Sequence, residues 1–305
     1  MQLPDSIFWG VTFSKSEAAA LGLDWRETYS AILDELKPKA VRLPIYWQDI
    51  ESQSGQYVFD DYDWLVQEAQ KREIKLVLVI GRKVPRWPEC HVPDWAAGLN
   101  DKSQQTRILK LIPEIANHYK GLPNLLAWQV ENEPFFSFGK CPKLNVDFLD
   151  QEIKIVRSLD SQHPIMLTDS GEFGWWFRAA KRADILGITM YRVVWHKTFG
   201  QIRYPFPAKY FSFKAELLHL FFPQKPIVVS ELQAESWGPK PIQDMTLVEQ
   251  AQSMNLSQFY DNINYAKQAG FRDVYLWGAE WWYWLKTKHN QPEIWEVARK
   301  VMSGE

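Results

Sequence analysis

Eight short apolar runs, each followed by a stretch of helical periodicity, constrain this chain more than any other feature. The runs fall at 7–13, 40–45, 75–81, 125–130, 164–168, 185–191, 226–231 and 273–278. Several, such as Leu76-Val77-Leu78-Val79-Ile80, are aliphatic throughout, as strands buried on both faces must be. Between them lie segments with apolar residues three and four apart, at 25–36, 60–72, 103–119, 145–159, 175–182, 210–222, 247–269 and 293–302. Alternation of this kind builds a parallel sheet, and eight units predict a single (β/α)8 TIM barrel spanning residues 1–305. A doubly wound open sheet shares the alternation. It would prefer a glycine-rich phosphate loop after an early strand, and 10–22 contains none.

Composition narrows the partners. A formal charge of −2 over 305 residues gives no attraction for nucleic acid or an anionic membrane. No apolar run approaches the roughly 18–20 residues of a membrane span. The first ten residues lack a basic start and apolar core, so the expected location is cytoplasmic. Cys90 and Cys141 are too few for a disulfide framework or a zinc site. They are expected as two reduced thiols, with one bridge between neighbouring loops as the alternative. The six histidines, at 91, 118, 163, 196, 219 and 289, form no closely spaced pair, so neither a metal nor another cofactor is expected. The 16 tryptophans are unusual: beyond filling a core, indoles on loops stack on the flat C–H faces of sugars.

In a barrel of this kind the C-terminal strand ends converge on one rim, where the chemistry sits. The fourth run stops at Asn132-Glu133-Pro134, because proline has neither the N–H nor the freedom in φ to continue a central strand. The seventh stops at Ser230-Glu231. Arg42, Tyr191 and Trp277 end the second, sixth and eighth. Strands four and seven lie nearly opposite around a ring of eight, so Glu133 and Glu231 would face each other across the mouth. A carboxyl pair about 5–5.5 Å apart suits retaining cleavage of a glycosidic bond, and one about 6.5–9.5 Å apart suits inversion. A strand-end glutamate paired with an arginine is the structural alternative for either residue.

These residues resemble the clan A glycoside hydrolases, nearest to the cellulase-like family 5. The resemblance rests on Asn132-Glu133-Pro134, Ser230-Glu231, Arg42 within Val-Arg-Leu-Pro, Tyr191 and an aromatic on strand eight. It implies a retaining β-glycosidase acting on an oligosaccharide or glycoside, with Glu133 as acid/base and Glu231 as nucleophile. It further implies that Asn132 bonds the sugar 2-hydroxyl, and that Arg42 and Tyr191 hold Glu231. Trp47, Trp87, Trp237, Trp281 and Trp282 are stacking candidates, each with a reading as a loop anchor. Glu280 either binds sugar hydroxyls or pairs within the protein, and Glu131 and Glu235 are read as structural or subsite residues. Relatives often carry histidines near the ends of strands three and six. Here strand three ends in Gly81-Arg82-Lys83, His91 comes only within the loop, and His196 sits five residues past Tyr191. Arg82 and Lys83 suggest an anionic sugar. Transglycosylation at the same site, or a barrel that binds carbohydrate without catalysis, are the competing functions.

Overall fold

The computed structural model describes residues 6–143 and 145–304. Among the described residues ten strands form: β1 (Phe8–Thr12), β2 (Ala40–Pro44), β3 (Lys75–Ile80), β4 (Leu125–Val130), β5 (Ile165–Asp169), β6 (Ile185–Met190), β7 (Val193–His196), β8 (Gly200–Arg203), β9 (Ile227–Gln233) and β10 (Asp273–Trp277). Eight of them close into a barrel in the order β1-β10-β9-β6-β5-β4-β3-β2. Strands pair in parallel around the barrel, as in β3 on β4, where Ile80 lies level with Val130. Fully buried strands such as β2 need the continuous apolar character seen in the sequence.

The chain divides into two compact units. One comprises the residues up to Val41, Gly171–Phe173 and the residues from Ile188 onward; the other is Arg42–Ser170 with Gly174–Gly187. In the second unit β3 and β4 form one ladder, and the helix Asp60–Lys71 buries Leu65, Val66 and Ala69 as its periodicity required. The helix Asp101–Tyr119 is capped by the Asn100 side chain, which accepts from the Ser103 N–H, and it carries Pro113 within it. In the first unit β10 lies between β1 and β9, with a register shift between Val274 and Leu276. Asp24 accepts from the N–H groups of Arg26 and Glu27, starting the helix at Trp25 as predicted; the last turns, Ile32–Leu36, widen into a π-helix.

Three features depart from the sequence reading. Residues after Tyr191, outside the eight apolar runs, form the antiparallel hairpin β7–β8. The segment Ala279–Lys288 is a helix rather than a loop at the barrel mouth. Cys90 and Cys141 are joined by a disulfide, which corrects the expectation of two reduced thiols. Sequence could not see this pairing, because 51 residues separate the two cysteines and only the folded loops after β3 and β4 bring them together. No helix among the described residues is long and apolar enough to cross a membrane.

Candidate active site

At the end of β4 the backbone turns sharply. Glu131 and Glu133 have φ values of 57° and 40°, the left-handed region that non-glycine residues rarely enter. Such strain persists only where surrounding bonds over-determine it. Here the Glu131 N–H donates to Ile80 O at 2.8 Å, that of Asn132 to Lys83 O at 2.6 Å, and that of Glu133 to Thr168 Oγ1 at 2.7 Å. The Glu131 carboxylate in turn accepts from the backbone N–H groups of Arg82 (2.7 Å) and Lys83 (2.8 Å). Gly81 must be glycine at this approach, since its φ is +123° and a Cβ would lie 2.7 Å from Glu131 Oε1.

Below the turn lies a fully buried acid, Glu152, with both oxygens out of reach of any N–H or hydroxyl donor. Burial and the adjacent Glu131 carboxylate push its pKa well up, against the opposing Arg82 guanidinium. Burial also raises Glu131, countered by its hydrogen bonds from Glu152 and the Arg82 and Lys83 backbone. Held neutral by burial, Glu152 is the member of the pair able to donate to the other carboxylate.

Asn132 is buried and its amide is oriented by its neighbours. Arg42 Nη2 donates to Asn132 Oδ1 at 2.7 Å and Arg42 Nε donates to Gln129 Oε1 at 2.7 Å. Gln129 Nε2 closes the ring of bonds on Glu131 O at 2.9 Å. Glu133 is buried beside them, 7% exposed. Lys83 Nζ donates to the carbonyls of Glu133 and Phe136 (3.0 and 2.8 Å), while Arg82 Nη1 pairs with Asp101 at 2.7 Å. Both cations expected to meet an anionic sugar are therefore engaged within the protein. His91 is a core residue: its ring lies 4.1 Å from that of Tyr46, its Nε2 is 3.0 Å from Arg86 O, and burial lowers its pKa.

In the other unit, β9 carries Glu231 at 4% exposure, and the Tyr191 hydroxyl donates to its Oε2 at 3.0 Å. Tyr191 is itself held: its N–H donates to Glu172 Oε1 at 2.5 Å and its ring meets Trp237 edge-on at 5.2 Å. Gln233 Oε1 accepts from the N–H groups of Arg192 and Val193, both at 2.9 Å, fixing the chain beyond Tyr191. Trp277 Nε1 donates to Glu235 Oε1 at 2.6 Å.

The remaining candidates separate by exposure. Trp87, at 61%, keeps an open face beside Phe138 (6.0 Å, edge-on). Trp47 is buried with its Nε1 on Glu51 Oε2 (2.7 Å), and Trp282 is buried with its Nε1 on Ala234 O (2.7 Å). Trp281 is likewise buried, donating to Gln250. With no open ring face, these three anchor loops rather than stack on a sugar. Glu280 is fully buried and accepts from the Ser14 N–H at 2.5 Å, a bond within the protein at the end of β1. His196 lies exposed on the β7–β8 hairpin, its ring 5.0 Å from that of Phe199. Sequence reasoning passed over Glu172, Gln129, Gln233 and Glu89. Gln129 did leave a signal: it is an amide inside the otherwise apolar strand β4, and must find partners when buried. Among the described residues no group of three or more His, Cys, Asp or Glu side chains is arranged to hold a metal ion.

The cellulase family, glycosyl hydrolase family 5, matches residues 15–201. The chain belongs to that family. The matched segment takes in Arg42, Asn132, Glu133 and Tyr191 and ends before Glu231, so in this family 5 chain Glu231 rests on its own geometry. A probable mannan endo-1,4-beta-mannosidase A-1 of Aspergillus terreus is 28% identical over 119 residues, 36% of this chain and 30% of that protein. A putative mannan endo-1,4-beta-mannosidase 4 of Arabidopsis thaliana is 23% identical over 154 residues, 42% of this chain and 37% of that one. The chain thus spans about a third of the length of these curated relatives. A GH42 beta-galactosidase from G. stearothermophilus superposes with a TM-score of 0.67 at 11% identity, over 99% of this chain and 56% of that one. A GH5_18 structure from Streptomyces cattleya gives 0.61 at 12%, over 89% and 70%. At such identities these two show the fold alone, the (β/α)8 barrel.

Proposed function

We propose that this family 5 chain is a retaining β-glycoside hydrolase with Glu231 as nucleophile and Glu133 as acid/base. The observation that carries the reading is the hydrogen bond from Tyr191 to Glu231, which fixes one carboxylate oxygen two residues before the end of the barrel strand β9. In the first step the free electron pair of Glu231 forms a bond to the anomeric carbon. The glycosidic C–O bond breaks, and Glu133 transfers its proton to the departing oxygen. In the second step Glu133 takes a proton from water, whose oxygen displaces Glu231 from the anomeric carbon. Asn132, held by Arg42, offers its amide to the hydroxyl beside the reacting carbon. Trp87 and Trp237 supply sugar-stacking faces, and Trp277 completes the wall at the end of β10.

The names of the curated relatives make β-1,4-linked mannan oligosaccharides the first substrates to test, followed by other β-hexosides. The disulfide favours an oxidising compartment as the place of work, since glutathione keeps cytosolic thiols reduced. The test is a panel of aryl β-glycosides run on the natural protein and on Glu133→Gln and Glu231→Gln. Turnover by the natural protein should fall by orders of magnitude in each variant, with thermal stability kept. An active Glu231→Gln protein overturns the assignment.

A further inference from the structure

A third acid sits against the proposed sugar-binding amide. Glu89 is 5% exposed, and Asn132 Nδ2 lies 3.2 Å from its Oε2 and 3.4 Å from its Oε1. The amide cannot be turned round, because Asn132 Oδ1 accepts from the Arg42 guanidinium and a flip would set two donors against each other. Glu89 is as firmly placed. Its N–H donates to Arg86 O at 2.7 Å, its carbonyl accepts from Val84 N at 2.9 Å, and its neighbour Cys90 is tied to Cys141. From the far side Gly139 closes on it, leaving so little room that a Cβ there would lie 2.7 Å from Glu89 Cβ. Lys83 Nζ stands 3.8 Å from Glu89 Oε2, partly balancing its charge.

We propose that Glu89 is a specificity-determining residue that selects sugars with a free hydroxyl next to the reacting carbon. An ionised carboxylate only accepts hydrogen bonds, and the amide nitrogen of Asn132 only donates them. A group entering beside both must accept from one and donate to the other, which a hydroxyl does and a C–H, a methyl ether or an anionic oxygen does not. The selection arises because a substrate lacking the hydroxyl sets a group that can neither donate to Glu89 nor accept from Asn132 against two buried polar side chains. This inference rests on the proposed function, which places the reacting carbon beside Asn132.

The test compares aryl β-glycosides with their 2-deoxy counterparts on the natural protein, Glu89→Ala and the isosteric Glu89→Gln. In the natural protein kcat/KM should favour the hydroxylated sugar, and Glu89→Ala should shrink that ratio by about tenfold to a hundredfold. Glu89→Gln, which keeps the shape but offers a single acceptor oxygen, should fall between. A purely structural role would lower both substrates together; an unchanged ratio overturns the proposal while leaving the hydrolase reading intact. Calorimetric binding of a β-linked disaccharide and its 2-deoxy form, to Glu133→Gln with and without Glu89→Ala, reads the same preference without turnover. If the natural protein hydrolyses none of the glycosides but this binding preference appears and depends on Glu89, the hydrolase reading fails and the assignment of Glu89 stands. Binding that ignores the hydroxyl, or no binding of either sugar, overturns it.

Discussion

The buried acid pair beneath the β4 turn makes stability depend on pH in a calculable way. Glu152 has no exposed surface, and burial and the Glu131 carboxylate both oppose its ionisation, raising its folded-state pKa well above the usual carboxylate range. In the unfolded chain an ordinary glutamate loses that proton above about pH 4.3. The folded state therefore binds one more proton than the unfolded, and stability falls as pH rises by about 1.4 kcal/mol per pH unit. The contribution is fully present below the ordinary glutamate range and is lost as pH climbs towards the raised folded value. Over two pH units the loss is about 3 kcal/mol. For a chain of this size, at roughly 2 °C per kcal/mol, that lowers the unfolding midpoint by about 5–6 °C. Glu152→Gln puts an amide N–H where the acid proton was, so the bond to Glu131 persists with no proton to lose. Thermal unfolding of the two proteins between about pH 5 and about pH 8 measures the difference. The variant should gain on the natural protein steadily as pH rises. Parallel pH profiles, or a variant destabilised equally at every pH, would refute a proton shared between Glu152 and Glu131.

Three further outcomes follow from the same geometry. Tyr191→Phe removes the donor 3.0 Å from Glu231 and should lower kcat/KM about tenfold to a hundredfold, checked by steady-state kinetics with circular dichroism as control. Replacing Cys90 and Cys141 together by serine opens a covalent loop spanning 51 residues, and should lower stability by up to about 4 kcal/mol in denaturant unfolding. Aryl β-glucuronides should be turned over no faster than neutral glycosides, because Arg82 is paired with Asp101 and Lys83 is spent on two carbonyls.

What could be read from the sequence was whatever depended on local pattern. The barrel strands and the two glutamates at strand ends are visible because buried parallel strands must be apolar and a proline stops one of them. The unread parts depend on contacts between distant segments. Glu131 holds the loop after β3 through backbone N–H groups about fifty positions earlier in the chain. Glu172 holds the backbone of Tyr191 from the segment following β5. Glu89 reaches Asn132 only because its loop is folded back beside β4. The tryptophans divide for the same reason: indole suits a sugar face and a core equally well, and only burial separates Trp87 from Trp47, Trp281 and Trp282. Helical periodicity failed at Ala279–Lys288, where apolar residues surround the helix and leave no polar stripe to read.

The division of labour between the two glutamates is tested most directly by azide rescue with an activated dinitrophenyl β-glycoside. In Glu231→Ala, azide should occupy the space of the missing nucleophile and yield the α-glycosyl azide. In Glu133→Ala, the glycosyl-enzyme still forms, and azide should intercept it to yield the β-glycosyl azide. Proton NMR assigns each product, and opposite anomers from the two variants are the predicted result. The same anomer from both, or the two exchanged, would contradict a double displacement in which Glu231 attacks and Glu133 carries the proton.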